Sequence, residues 1–292
     1  MALGYEELPL FVPISYANVL QFDQTYWDFA HDYSYVDVAA QNGYASFLYD
    51  RLGVGKSDKP DPVSVIQAPI EVEVARTLAN SLREGHYSDA KFSKIVGVGH
   101  SFGSIVTQAV THAYPDALDA AILTGFSTDL SNQPTFLLAL NLALANENQP
   151  ARFHSLNNGF LVSSTSISNQ IGFFKAPGFD PAILHKAEAT KGTVTFGELN
   201  SLSGVGGSAG AFAKPVAVVD GINDQPFCSG NCTYPTNVAQ AVRPMYYPNV
   251  ADADFATYLA PLAGHGLNFH YSAAGAFDFI QKFLADRGLG ME

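Results

Sequence analysis

Charged side chains are scarce in this sequence, and basic side chains are scarcer than acidic ones. Only 14% of the 292 residues are charged, and 15 Lys and Arg stand against 27 Asp and Glu, for a formal net charge of −12. Such a negative field repels phosphate backbones and anionic membrane surfaces. The composition therefore argues against nucleic-acid binding and peripheral membrane association, and it leaves small neutral or cationic molecules as partners.

Long hydrophobic runs are also missing. The longest nearly apolar run, residues 136–145 (FLLALNLALA), is interrupted by Asn141 and is well short of the ~20 residues needed to cross a bilayer. Residues 1–10 (MALGYEELPL) lack the basic region followed by an apolar stretch that is typical of a secretory signal peptide. The sequence therefore predicts neither a membrane span nor a signal peptide.

Cysteine is limited to Cys228 and Cys232, in the segment CSGNC. This spacing fits a local disulfide, a redox pair or half of a metal site. No histidine lies close in sequence to complete tetrahedral ligation, so we expect no metal. A disulfide is favoured because Gly230 allows the tight bend that a short loop needs. The pair overlaps a glycosylation sequon at residues 231–233 (NCT), and together they favour an oxidising compartment of the secretory pathway.

Apolar residues, in contrast, are plentiful. They make up 47% of the chain, with 21 Phe and 14 Tyr, enough for a sizeable buried core. Strand-like and helix-like segments alternate through most of the sequence, which indicates an α/β protein with a parallel sheet. The predicted strands are residues 44–50, 94–99, 120–126, 215–220 and 255–261, and the predicted helices are residues 70–84, 105–114 and 272–286.

The interval between the third and fourth of these strands, residues 127–214, is too long for a simple crossover and is rich in Leu, Phe, Ser and Asn. We interpret it as a helical cap inserted into a core made of residues 1–126 and 215–292. Within it, residues 136–145 are expected to form a buried cap helix, with a pocket wall or a dimer face as alternatives. The glycines of residues 201–210 (SLSGVGGSAG) lack a following Lys-Ser/Thr, so no nucleotide cofactor is expected.

Residues 99–103 (GHSFG) fit the pattern G-x-S-x-G, directly after a predicted strand and directly before a predicted helix. A sharp strand-to-helix turn exposes the hydroxyl of Ser101, and free N–H groups at the helix N-terminus can stabilise an oxyanion. We therefore expect Ser101 to be a nucleophile. The alternative is a Gly-Ser turn of no catalytic importance.

A serine hydroxyl is a weak nucleophile at neutral pH and needs a base that takes its proton. His265 lies in LAGHGLN, after the last predicted strand and before the final helix, with glycine on both sides. Such a loop presents the ring, so His265 is the expected base. The alternative is His270 in NFHYS, which lies close to the helix start and fits packing or capping better.

An acid has to orient that base. Asp224, in DGINDQPFC, follows the fourth predicted strand by a short turn, so its carboxylate can emerge at the same sheet edge as Ser101. Asp220 closes the strand itself and fits bonding to the N–H groups of the turn better. Asp129, just beyond the third strand, is a further alternative. We expect Asp224 to be the acid.

The chain resembles the α/β-hydrolase superfamily, and more narrowly its secreted fungal members. The resemblance rests on TYWDFA, YDRLGVGKSDKPDP, KIVGVGHSFGS, DGINDQPFC and AGHG, and on the order of serine, acid and histidine along the chain. It implies a mostly parallel sheet flanked by helices and a serine hydrolase that acts on an ester-type bond without a cofactor. Lyases, acyltransferases and cyclases share the serine turn, and catalytically silent binding proteins share the fold. The aromatic-rich, weakly charged composition favours a small, apolar, uncharged substrate.

The resemblance also implies roles for residues around the nucleophile. The backbone N–H of Phe102 is the expected first oxyanion donor. Family members usually carry a His-Gly turn after the first core strand, whereas this chain has LFVPISY there, so Ile14 or Ser15 is expected to supply the second donor. His100 is expected either to contact the substrate pocket or to pack. We further expect the chain to begin too late to include the full N-terminal edge of the sheet.

Overall fold

The structure is a computed structural model that describes residues 13–16, 22–87 and 91–290, the first of these ranges by its backbone. Residues 1–10, in which the sequence predicts no signal peptide, lie outside the described residues. Within the described residues, no helix is long and apolar enough to cross a membrane.

The described residues form short strands and helices that alternate along most of the chain. The strands are β1 Pro13–Tyr16, β2 Phe47–Leu48, β3 Val96–His100, β4 Ala120–Thr124, β5 Leu142–Leu144, β6 Phe160–Ser163, β7 Val194–Thr195, β8 Val216–Gly221 and β9 Phe255–Ala260. The α-helices are α1 Tyr35–Gln41, α2 Ala68–Glu84, α3 Phe102–Ala113, α4 Gln133–Leu140, α5 Ala145–Asn148, α6 Pro150–Phe153, α7 Ser166–Phe173, α8 Pro181–Thr190, α9 Phe196–Ser201, α10 Gln225–Cys228, α11 Val242–Tyr246 and α12 Ala273–Ala285. Short 3₁₀ helices occur at Gln24–Tyr26, His31–Tyr33, Leu202–Gly204, Val238–Ala241, Asp252–Asp254 and Leu267–Phe269.

A six-stranded sheet with the order β2-β1-β3-β4-β8-β9 forms the centre of the molecule. Every neighbouring pair of strands in it is parallel, so all the carboxyl ends lie at one edge. The central strands β3, β4 and β8 are buried along their whole length, as expected where helices cover both faces of a parallel sheet. The predicted α/β fold with a mostly parallel sheet is confirmed.

Both faces of this sheet are covered by helices because successive side chains of a strand point to opposite sides. In β4, Ala120 and Ile122 join a hydrophobic cluster that includes side chains of α1 and α12. Ala121 and Leu123 join a second cluster, with side chains of α2 and α3. The sheet is thus held between two helix layers, and its carboxyl edge presents the residues that follow each strand.

The predicted core elements match the observed ones, with shifts at their ends. The helix predicted at residues 70–84 begins earlier, at Ala68, and the one predicted at 105–114 begins at Phe102. The strand predicted at residues 44–50 is reduced to β2. β2 pairs with β1 at two positions, Ile14 with Phe47 and Ser15 with Leu48, and this pairing sets its length.

The insertion between β4 and β8, residues 127–214, is less helical than predicted. It contains α4–α9 and a second sheet, in which β5, β6 and β7 are antiparallel in the order β5-β6-β7. The single helix predicted at residues 136–145 is wrong. Helix α4 ends at Leu140, Asn141 adopts a left-handed conformation with φ of 46°, and β5 follows. Asn tolerates that conformation, and pairing with β6 then decides the strand.

A buried ion pair joins the core to this insertion. The guanidinium of Arg51, in the loop after β2, contacts the carboxylate of Glu198 in α9, and both side chains are buried. The same guanidinium lies 4.9 Å from the ring centroid of Phe102. Burial also raises the pKa of the nearby Glu71 carboxyl to about 7, although Arg51 opposes that shift. Because an unpaired buried charge is costly, this contact fixes the insertion to the loop.

Cys228 and Cys232 form a disulfide, with their Cα atoms 4.7 Å apart. Of the three interpretations that their spacing allows, the disulfide is the one observed. The backbone N–H of Cys232 donates to the carbonyl of Ile222 over 2.9 Å. The small loop that the disulfide closes is therefore attached to the turn after β8.

Candidate active site

Ser101 lies at a sharp turn between β3 and α3. Its backbone has φ of 55° and ψ of −116°, a conformation that non-glycine residues rarely adopt and that costs about 1–3 kcal/mol. The turn is tight enough that a Cβ on Gly99 would lie 2.4 Å from the carbonyl oxygen of Gly103. Gly99 is therefore required for β3 and α3 to approach each other, and the turn holds Ser101 at the carboxyl edge of the sheet.

His265 lies in the loop after β9, at the same edge. Its Nε2 atom lies 2.7 Å from Ser101 Oγ, and its Nδ1 atom lies 2.6 Å from Asp224 Oδ2. Because the carboxylate only accepts, Nδ1 carries the proton and Nε2 is free to accept from the serine hydroxyl. The structure thus brings the expected nucleophile, base and acid into one hydrogen-bonded chain.

Asp224 is placed by the start of α10. Its Oδ1 atom accepts from the backbone N–H of Phe227 over 2.9 Å, which caps the helix, while Oδ2 faces His265. The two alternative acids have other partners. Asp129 Oδ1 accepts from the N–H of Ser131, and Asp220 Oδ1 accepts from the N–H of Phe126. Helix capping leaves Asp224 with one oxygen directed at the ring.

Asp220 is buried next to Asp224. Burial and the neighbouring Asp224 carboxylate raise the pKa of Asp220 well above its usual range. Its hydrogen bond from the N–H of Phe126 holds the backbone just after β4. The sequence instead suggests bonding to the N–H groups of the turn at Gly221 and Ile222, and the N–H of Ile222 donates to the carbonyl of Ala260, so Asp220 does hold a backbone N–H but a different one.

The first expected oxyanion donor belongs to the helix that follows the serine. α3 begins at Phe102, so the N–H of Phe102 has no acceptor within the helix and lies beside Ser101. The second expected donor is in a different position. In β1, Ile14 is opposite Gly97 and Ser15 is opposite Val98. Each residue advances a strand by about 3.3 Å, so both positions lie several residues before the level of Ser101 along the strand direction.

Ile14 is therefore too far from Ser101 to donate to an oxyanion there, and that prediction is wrong. Its place in β1 between β2 and β3 commits its backbone to strand pairing. The residues that follow β1 at the carboxyl edge, 17–21, lie outside the described residues, as do residues 10–12 of the segment LFVPISY.

His100 lies in the core beside the nucleophile. Its Nδ1 atom is 2.7 Å from Thr124 Oγ1, and its ring centroid lies 4.7 Å from that of Tyr26 and 5.0 Å from that of His265. The Thr124 hydroxyl donates to the Gly99 carbonyl, so Nδ1 of His100 must carry a proton. Burial, with a contribution from His265, holds the pKa of His100 well below its usual value. These contacts fit packing, one of its two predicted roles.

Comparison with known proteins agrees with this geometry. The family model described as serine aminopeptidase, S33, matches residues 30–225, more than half of the chain, including Ser101 and Asp224. The chain belongs to this family of α/β-hydrolases. No curated protein matches it by sequence.

Several solved structures share the fold along nearly the whole chain. A monoacylglycerol lipase from Paleococcus ferrophilus has a TM-score of 0.59 at 11% identity, covering 95% of this chain and 94% of that one. A methylesterase from Arabidopsis has a TM-score of 0.62 at 14% identity, covering 94% of this chain and 98% of that one. A soluble variant of monoglyceride lipase from Saccharomyces cerevisiae has a TM-score of 0.60 at 16% identity, covering 97% of this chain and 88% of that one. At such low identities the likeness shows a common fold.

Aromatic rings enclose the histidine of this α/β-hydrolase. The ring centroid of His265 lies 5.4 Å from that of Phe136 in α4, 5.9 Å from that of Phe173 in α7 and 5.7 Å from that of Phe227 in α10. Two of these rings come from the insertion. His265 is fully buried and Ser101 is only 5% exposed, so in this structure the insertion covers the reactive groups.

Gly125 is a residue of this α/β-hydrolase site that sequence reasoning missed. It follows β4 with φ of 55°, and a Cβ there would lie 2.7 Å from His100 Cε1 and 3.0 Å from His265 Cε1. The backbone therefore passes directly against both imidazole rings. The signal available in the sequence was a glycine at the end of a buried strand, beside two strands that carry expected catalytic residues.

Among the described residues, the one group of side chains close enough to hold a metal ion is Asp220 with Cys228 and Cys232, whose ligand atoms lie within 4.8 Å of one another. Both sulfurs are joined in the disulfide. A thiolate is the form of cysteine that binds metals, so the oxidised pair does not offer this group the ligands that it needs.

Proposed function

We propose that this α/β-hydrolase is a serine hydrolase that cleaves an ester-type bond, namely a carboxylic ester, lactone or thioester, through an acyl-enzyme on Ser101. The observation that carries the proposal is the hydrogen-bonded chain from Ser101 through His265 to Asp224. Structural neighbours named as a methylesterase and as monoacylglycerol and monoglyceride lipases support an ester substrate.

In the proposed reaction, His265 Nε2 takes the proton of Ser101 as Oγ attacks the acyl carbonyl. The carboxylate of Asp224 stabilises the imidazolium that forms and keeps the ring in the required tautomer. The imidazolium then gives its proton to the departing alkoxide, lactone oxygen or thiolate, and the acyl group remains on Oγ. In the second half, a water molecule gives a proton to Nε2 and its oxygen attacks the acyl carbonyl. The bond between the acyl group and Oγ then breaks, the imidazolium returns the proton to Ser101 Oγ, and the free acid leaves.

The charge that develops on the carbonyl oxygen needs donors that are already in place. The N–H of Phe102 supplies one donor at the start of α3. An oxyanion-hole donor is typically worth about 10²–10³ in rate. A donor of this kind favours a reaction through a tetrahedral intermediate, and it fits acyl transfer from an ester.

Residues 127–214 form the cap of the proposed enzyme. Phe136 and Phe173 of this segment pack against the ring of His265. The side chains that the cap packs against the base are aromatic and uncharged, so they favour an apolar, uncharged substrate, because burying an ion beside them would be unfavourable.

The same enclosure favours acyl transfer to an acceptor other than water as a second candidate function. With His265 fully buried and Ser101 only 5% exposed, the access of bulk water to the acyl-enzyme is restricted, and an acceptor bound beneath the cap would compete with it. Analysis of the products distinguishes the two candidates: hydrolysis releases the free acid, whereas transfer releases a new ester or amide.

Labelling with a fluorophosphonate probe tests the proposed nucleophile. Wild-type protein should be labelled at Ser101, and labelling should be lost in Ser101→Ala and strongly reduced in His265→Ala. Ser104→Ala is the matched control. The Ser104 hydroxyl donates to the carbonyl of Thr124, and that carbonyl also accepts from the N–H of Ser101. Because the Thr124 carbonyl keeps this second donor when the Ser104 hydroxyl is removed, the control should retain labelling. A folded wild-type protein that is not labelled would rule out an activated serine.

A further inference from the structure

His270 makes hydrogen bonds to three backbone groups through its two ring nitrogens. Its Nε2 atom accepts from the N–H of Lys175 over 2.9 Å and from the N–H of Gly264 over 3.1 Å. Its Nδ1 atom lies 3.0 Å from the carbonyl oxygen of Gly266 and donates to it. The ring is fully buried, and each nitrogen is used.

Two of these groups belong to the immediate neighbours of His265. The ring of His270 thus holds the loop on both sides of the proposed base, at Gly264 and Gly266. Glycine imposes little conformational restriction of its own, so a histidine between two glycines needs an external restraint to keep one orientation. The hydrogen bonds from His270 supply that restraint.

The third group belongs to residues 173–178, the segment that begins at the end of α7. Two further hydrogen bonds join this segment to the loop that carries His265. The N–H of Gly266 donates to the carbonyl of Phe173 over 2.7 Å, and the N–H of Tyr271 donates to the carbonyl of Gly178 over 2.9 Å. Because the ring of Phe173 also stacks on His265, the insertion and the base are connected through both backbone and side chain.

This arrangement requires one protonation state of His270. Two N–H groups point at Nε2, so that atom must be unprotonated, and Nδ1 must carry the proton that it donates to Gly266. Burial lowers the pKa of His270 to about 4, which keeps the ring neutral near neutral pH. The hydrogen-bond pattern and the burial are therefore consistent with each other.

We propose that His270 is a positioning residue, which orients His265 by holding both flanking peptide groups and which couples that loop to residues 173–178. The proposal rests on the proposed function, because it gives His265 the role of base. The ring of His270 takes no part in proton transfer. Its effect is to keep Nε2 of His265 within hydrogen-bond distance of Ser101.

Three substitutions of His270 test the hydrogen bonds of its two ring nitrogens separately and together. The amide oxygen of His270→Gln can occupy the position of Nε2 and accept from Gly264 and Lys175. The amide nitrogen of His270→Asn can occupy the position of Nδ1 and donate to Gly266. His270→Phe keeps a ring and removes all three hydrogen bonds. Tyr247→Phe is the control, because it removes one buried hydrogen bond to Thr111 on the other side of the sheet.

We expect His270→Phe to lower kcat for an ester substrate and the rate of fluorophosphonate labelling by about 10- to 100-fold, the range that a displacement of ~1 Å produces. KM should change little, and Tyr247→Phe should leave both rates unchanged. His270→Gln should recover more activity than His270→Asn, since it retains two of the three hydrogen bonds. If His270→Phe does not fold, the order of Gln above Asn decides the question.

The Nδ1 proton of His265 gives a readout that does not depend on activity. In wild type, the 2.6 Å contact with Asp224 should produce a strongly downfield proton resonance, which should shift or broaden in His270→Phe and persist in Tyr247→Phe. An unchanged resonance in His270→Phe, together with full activity, overturns the proposal. If wild-type protein is neither active nor labelled, the proposed function is overturned. A resonance that still changes in His270→Phe then supports the positioning role by itself.

Discussion

Replacing Gly125 with alanine should displace the proposed base without touching the serine or the acid. A Cβ at this position would lie 2.7 Å from His100 Cε1, 3.0 Å from His265 Cε1 and 3.1 Å from His265 Nδ1. Ordinary carbon contacts lie at about 3.5–4.0 Å. Each ring makes its own short contact with this Cβ, so the ring of His265 has to retreat by roughly 0.5–1 Å even if His100 also moves.

The size of the effect follows from the geometry of His265. Its two nitrogens make hydrogen bonds of 2.6 and 2.7 Å to Asp224 and Ser101, so a displacement of this size lengthens both. Because a misplacement of ~1 Å can lower a rate by about 10²-fold, we expect Gly125→Ala to lower kcat by about 10- to 100-fold. KM should change little, since the methyl group lies behind the ring that reacts.

Backbone strain has to be separated from this steric effect. Gly125 has φ of 55° and Gly288 has φ of 66°, and a Cβ on Gly288 would meet nothing within 4 Å. Alanine in the left-handed region costs about 1 kcal/mol or more at either position. Overpacking at Gly125 adds about 1–3 kcal/mol. Gly288→Ala is therefore the matched control for strain alone.

The assay combines denaturant unfolding with ester hydrolysis and fluorophosphonate labelling of all three proteins. Gly288→Ala should lose stability and keep the wild-type rates. Gly125→Ala should lose more stability and also react slowly at a temperature where it is fully folded. If folded Gly125→Ala reacts as fast as Gly288→Ala, the argument that this backbone position sets the place of His265 is refuted.

Three other expected outcomes test separate parts of the structure. Asp224→Asn should lower kcat by about 10⁴-fold through loss of the required tautomer, whereas Asp129→Asn should leave it unchanged; equal losses in a kinetic comparison would contradict the assignment of the acid. The pKa of Glu71 is raised from 4.5 to about 7 in the folded protein, so the native state binds more protons in this window and the free energy of unfolding should decrease by about 3 kcal/mol as pH rises through it. Glu71→Gln should show a smaller difference between pH 5 and pH 8 in denaturant unfolding, and an unaltered difference would exclude Glu71 as its source. Replacing Cys228 and Cys232 together with serine should lower the free energy of unfolding by about 2 kcal/mol, because the disulfide closes only a short loop; reduction of unfolded wild type should add the mass of two hydrogens, and no mass change would show that the disulfide is absent.

Much of the core could be predicted from the sequence because local pattern and tertiary environment agree there. β3, β4 and β8 are apolar except near their carboxyl ends, and they are buried on both faces in the structure. The insertion was harder to predict. Residues 136–145 are apolar except at Asn141, so neither helical nor strand periodicity distinguishes them, and the break at Asn141 depends on pairing between β5 and β6.

The candidate site divides in a similar way. Ser101, Asp224 and His265 each follow a recognisable strand, and in a parallel sheet the carboxyl ends of the strands meet at one edge. The contribution of Ile14 could not be judged from sequence, because it depends on the register of β1 against β3. His270 looked like a packing residue, since its three partners are backbone groups, which leave no pattern in the sequence.

The sequence by itself determined the α/β architecture and the identity of the groups that could act as nucleophile, acid and base. It could do so because strand burial, the glycine-flanked serine and the order of these residues are local properties of the chain. Only the tertiary structure decided which oxygen of Asp224 faces His265, how closely Gly125 approaches both imidazole rings, and which backbone groups of the His265 loop are hydrogen-bonded to His270. Those features depend on differences of a few tenths of an ångström in the distances between atoms of separate elements, and such distances are set only when the whole core is packed.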